Sequence, residues 1–100
     1  MVDLEKELKL LLKTGKCYYG FKEVLDALYH KKVLGIILAS KIPKEIYSKI
    51  LYYAKLAETP VYIFNGSSIE LGNLCGKKFP ITSIAIISPG ESNIFELFKT

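Results

Sequence analysis

Arginine and glutamine are absent from this chain of 100 residues, so all 14 of its cationic side chains are lysines. Together with an abundance of isoleucine, this fits an AT-rich or heat-adapted source. Cysteine is scarce: Cys17 and Cys75 are far apart and belong to no CxxC or Cys/His grouping. That pattern argues against a zinc site or a disulfide framework, and both residues are expected to be buried thiols. The one histidine, His30, stands beside Lys31 and Lys32 at an expected helix end, where an imidazolium offsets the helix dipole. No metal and no cofactor is expected. Apolar runs are all far shorter than the roughly 18 residues needed to cross a bilayer, and the chain opens on charged residues 3–7. No membrane partner is expected, and the cytosol is the predicted location. There is no G-x-S-x-G elbow, P-loop, G-x-G-x-x-G or paired-carboxylate motif, so the chain is not expected to be an enzyme. Repeats, low-complexity tracts and charge blocks are also missing.

What is present is half hydrophobic, which at this length suffices for one core and predicts a single domain over residues 1–100. Lysines exceed carboxylates, leaving a net charge of +4. A mild excess of this kind favours a polyanionic partner.

Periodicity then orders the chain. Leu4, Leu8, Leu11 and Leu12 form one helical stripe, begun by Asp3 and ended by Gly15. Residues 16–19 read as a short strand, and Gly20 opens a second helix whose apolar face is Phe21, Val24, Leu25 and Leu28. The branched, nearly unbroken run 33–39 predicts a central strand covered on both faces. Pro43 starts a third helix through Ile46, Ile50, Tyr53, Ala54 and Ala57. Residues 61–64 predict a strand, after which Asn65-Gly66 predicts a turn. Residues 84–87 predict the last strand, and residues 93–98 a short helical turn covering the sheet edge. This alternation predicts a three-layer α/β/α sandwich around a mixed sheet of about four strands. Most of the seven tyrosines are expected to pack with their hydroxyls at the rim.

Two loops could carry chemistry. If the first two strands are parallel, Gly20, Phe21, Lys22 and Glu23 emerge at the same sheet end as Ser40 and Lys41. Free amides at a glycine-led helix start suit phosphate, and Lys22 adds a full charge. Lys77, Lys78, Phe79, Pro80 and Ile81 combine two cations with apolar groups, a mixture suited to RNA. Both loops also suit ordinary connections, with Lys22 solvated and with Phe79 and Ile81 turned inward.

Residues 67–76 read as a short helix with Ser67 and Glu70 forming a capping box and Gly76 a left-handed stop. This segment, with Tyr52-Tyr53-Ala54, Val61-Tyr62, Glu70-Leu71-Gly72 and Pro89-Gly90-Glu91-Ser92 in the same order and spacing, resembles the L-thirty-e family of archaeal and eukaryotic large-subunit ribosomal proteins, relatives of L-seven-Ae. The resemblance implies an α/β/α sandwich that recognises kink-turn RNA. It also implies an RNA surface built from Gly20, Phe21, Lys22 and Glu23, from Ser40 and Lys41, and from Lys78, Phe79, Pro80 and Ile81, with Lys77 offsetting phosphate charge. In that surface Lys22 would read guanine edges while Phe79 and Ile81 cover an unstacked base. Lys41, Asp26 and Pro80 stand where many relatives carry other residues.

The leading expectation is a structural, ribosome-associated component of the cytoplasmic large subunit. Its expected partners are kink-turn rRNA and neighbouring ribosomal proteins, and it is expected to be monomeric off the ribosome. The alternatives are a stand-alone kink-turn adaptor of a non-ribosomal particle and a small nucleotide-binding enzyme.

Overall fold

A computed structural model describes residues 3–99, so the outermost residues of the expected 1–100 domain lie outside it. The elements run α1 (Leu4–Thr14), β1 (Lys16–Tyr19), α2 (Phe21–His30), β2 (Gly35–Lys41), α3 (Lys44–Leu56), β3 (Val61–Ser67), α4 (Ser68–Leu74) and β4 (Ser83–Ser88), followed by a 3-10 helix over Ile94–Lys99. Local chemistry sets most of their limits. The Asp3 carboxylate accepts from the Lys6 amide at 3.3 Å to begin α1. At α4 the capping box is complete: the Glu70 N–H donates to Ser67 Oγ at 3.1 Å, and the Ser67 N–H donates to Glu70 Oε1 at 3.0 Å.

The sheet order is β1-β4-β2-β3, with β2 and β3 parallel and β4 antiparallel to both β1 and β2. Its side chains alternate between two cores. Ile37, Ala39, Phe64, Ile84 and Ile86 face Leu8 and Leu11 of α1, Leu71 of α4 and Ile94. Ile36, Leu38 and Ala85 face Val24, Ala27 and Leu28 of α2 and Ile50 and Ala54 of α3. The result is the expected three-layer sandwich, with β2 and β4 covered on both faces. Each fully buried Leu or Ile contributes about 1.5–3 kcal/mol.

The last segment is tied back to α1 by a buried acid. Glu7 Oε1 accepts from the Asn93 N–H at 2.8 Å and from Ser92 Oγ at 3.2 Å. The 3-10 helix therefore packs on the α1 side of the sheet, with Phe98 6.0 Å from Tyr62 of β3.

One expectation needs correcting. Asn65-Gly66 is not a turn: β3 continues through both residues to Ser67. The pairing with β2 slips between Ala39 and Lys41, which absorbs the irregularity. The Gly66 N–H then donates to Ser40 Oγ at 3.2 Å instead of to the ladder.

Candidate nucleic-acid interface

Strand direction gathers the loops. β1, β2 and β3 all point one way and β4 the other, so the ends of the first three strands and the entry to β4 share one rim of the sheet. The register makes this concrete. Tyr19 and Ile37 both pair with Ile84, Leu38 pairs with Ser83, and the Ala39 N–H donates to the Thr82 carbonyl at 2.9 Å. Gly20, Lys41, Ser67 and the 77–81 loop therefore surround a common surface.

Gly20 sits at φ 114°, a conformation open to glycine and rarely to any other residue. It lets β1 turn straight into α2, with the Glu23 carboxylate folded back against its Cα. Beside it Phe21 is half-buried, with the Lys49 ammonium 5.9 Å above its ring, while Lys22 and Glu23 are exposed. Ser40 is spent on Gly66, as described, and Lys41 projects into solvent. Glu70 nearby is held below the ordinary carboxylate range, chiefly by hydrogen bonds from Ser67, with a smaller effect from the Lys41 charge.

The 77–81 loop carries the aromatic part of the surface. The Phe79 ring stacks on Tyr19 at 5.9 Å and 23°, is 47% exposed, and leaves a face open to solvent. The Lys77 ammonium lies 5.8 Å over the same Tyr19 ring. Lys78 and Pro80 are exposed beside them. Ile81 is the exception: it is 1% exposed and packs in the α1/α4 core, with its N–H donating to the Ser68 carbonyl at 2.9 Å. It anchors the loop from beneath and cannot cover a base. Gly72 of α4 allows the Phe79 carbonyl to press against the helix, where any Cβ would collide with it.

The sequence from residue 2 to residue 96 matches the model of the ribosomal protein L7Ae/L30e/S12e/Gadd45 family. The chain belongs to this family. Relatives named large ribosomal subunit protein eL30 are similar to it over nearly their whole length. That of Sulfurisphaera tokodaii is 46% identical over 99 residues, covering 99% of this chain and 93% of the relative. That of Saccharolobus solfataricus is 44% identical over 98 residues (98% and 91%), and that of Methanothermobacter thermautotrophicus 38% over 96 residues (96% and 98%).

In this L7Ae-family chain, the rim brings together Gly20, Phe21, Lys22, Glu23, Ser40, Lys41, Lys77, Lys78, Phe79 and Pro80, and removes Ile81 from the surface. Lys22, Lys41, Lys77 and Lys78 outweigh Glu23 and Glu70, giving a cationic surface with an exposed ring at its centre. Ammonium groups and the free amides of α2 suit phosphate, and the Phe79 face suits an unstacked base. Sequence reasoning missed two contributors. Tyr19 is the platform on which Phe79 and Lys77 rest. The β3–α4 junction at residues 66–70, with Ile69 63% exposed, reaches the same rim. The signal for the junction was available, because a crossover through α3 makes β3 parallel to β2 and sends both ends the same way. His30 lies at the far end of α2, 3.5 Å from Asp26. No cluster of three or more potential metal ligands occurs among the described residues.

Proposed function

We propose that this protein is a structural, non-enzymatic component of the large ribosomal subunit that binds and stabilises kink-turn rRNA. Kinship with the eL30 proteins supports the ribosomal role, and the convergence of three lysine-bearing loops around the stacked Tyr19–Phe79 pair carries the RNA reading. Lys22 donates to guanine O6 and N7 exposed at the bend, and the open face of Phe79 covers a base splayed from the stack. Amides from Gly20 onward hold the bent phosphate path, while Lys41, Lys77 and Lys78 offset the crowding of phosphates there. Its partners are rRNA and adjoining ribosomal proteins in the cytoplasm, and off the ribosome it is a monomer.

The test is a comparison of binding to a kink-turn RNA and to a straight duplex of the same length. The kink-turn should bind far more tightly, with a log-log salt slope of about −2 to −3 for three or four phosphate contacts. Lys22→Ala should cost about 1–3 kcal/mol of that affinity. Equal affinity for both RNAs removes the proposal. Cosedimentation of the native protein with smaller particles instead of large subunits would assign it to a stand-alone adaptor role.

A further inference from the structure

The outer surface of the α2–α3 layer holds a groove that the reading above leaves unused. It is an open depression of about 420 Å3 lined by Lys22, Leu25, Asp26, Tyr29 and His30 of α2 and by Lys49 and Tyr53 of α3. That volume is in the range of small-ligand sites. One end opens at the rim, because Lys22 belongs to both places and Lys49 stands over Phe21, the second residue of the rim loop. The walls are aromatic: Tyr29, 75% exposed, lies 6.5 Å from Tyr53 with the rings inclined at 51°. A ring left so open contributes little to the core and offers its face to a ligand.

We infer that this groove receives one unstacked nucleotide of a single-stranded RNA segment. Its phosphate sits at the Lys49 ammonium and its base stacks on Tyr29. The Asp26 carboxylate accepts from an exocyclic amine such as cytosine N4, exchanging its contact with His30 for that bond. Two cations at the mouth, adjoining a lysine-rich rim, make the charge complementary to a nucleic-acid backbone. An acidic amphipathic helix is the competing occupant that the test must separate. The inference rests on the kink-turn reading only for the side from which the strand enters.

The test titrates the full-length protein with single-stranded oligocytidylate of about six nucleotides, following tyrosine and histidine resonances by NMR. Tyr29→Ala and Lys49→Ala replace exposed side chains outside the rim, so the fold should survive in the double variant. Binding of the oligonucleotide should shift His30 and Tyr53, and the double variant should bind it at least about tenfold more weakly while keeping kink-turn affinity within about twofold. Equal oligonucleotide affinity in parent and variant overturns the inference. So does a parent that ignores the oligonucleotide, or one whose groove responds only to an acidic helical peptide. Groove binding in a protein that fails to discriminate a kink-turn from a duplex would sink the proposed function alone.

Discussion

Replacing Gly72 by alanine sets two calculable effects against each other. In the interior of α4, alanine gains about 1 kcal/mol over glycine in helix propensity. At Gly72, however, the new Cβ would meet the Phe79 carbonyl oxygen well inside any normal contact distance, with the carbon of that carbonyl 3.2 Å away. The opposing atoms are main chain, so relief requires moving the 77–80 loop, and forcing an extra carbon into a packed site costs about 1–3 kcal/mol. The net expectation is a loss of about 1 kcal/mol in urea unfolding, together with a roughly tenfold loss of kink-turn affinity, since the displaced loop carries Lys77, Lys78 and Phe79. Asn73→Ala, exposed on the same helix, is the control and should show only the propensity gain. If Gly72→Ala stabilises the protein as much as the control and leaves RNA binding intact, the close approach of helix and loop has no functional weight.

Three other outcomes follow from named contacts. Ile81→Ala should cost about 2–5 kcal/mol in thermal unfolding, and the folded fraction should lose less kink-turn affinity than Phe79→Ala does, because the Ile81 side chain lies in the core and reaches the RNA only through the loop it anchors. Ser67→Ala should cost about 1 kcal/mol. It should also weaken without abolishing the acid dependence that Glu70 confers, because alanine keeps the residue 67 N–H that is the main donor to that carboxylate: a carboxyl held low in the fold stabilises above its ordinary range, and that stabilisation is lost as pH falls through its folded value. Burial pushes the Cys17 thiol to about 11 and the Cys75 thiol to about 12. Both should resist alkylation until the protein unfolds, and stability measured by denaturant titration should decline from about pH 9 upward, as the unfolded thiols ionise and the folded ones do not.

Most of the architecture was legible because its signals are local. The Leu4-Leu8-Leu11 stripe, the branched run around Ile36 and Ile37, and the Ser67–Glu70 capping box each specify a helix or strand from a few neighbouring residues. The Asn65-Gly66 pair failed for the opposite reason. A dipeptide that turns well in isolation was held extended by a partner strand and a serine hydroxyl 26 positions away. Ile81 shows the same limit at the surface: a spacing of two residues puts it on one side with Phe79, whereas the hydrogen bond from the Ile81 N–H to the Ser68 carbonyl turns Ile81 into the core and leaves Phe79 outside. Tyr19 was invisible as a site residue because its role arises only from contact with Phe79 and Lys77, distant in the chain and adjacent in space.

The interior position of β4 has a kinetic consequence. The fourth of the described strands in chain order, it lies between β1 and β2, pairing Lys16 with Ser88 and Gly35 with Ile86. Such long-range pairings pay their loop-closure entropy before they return any stability, so they form late in folding. A nascent chain that has already exposed Lys22 and Lys41 still lacks the strand that spaces them and the Phe79 loop that leads into it. The proposed RNA surface is therefore unassembled until β4 is in place, and closing the sheet and completing that surface are one event.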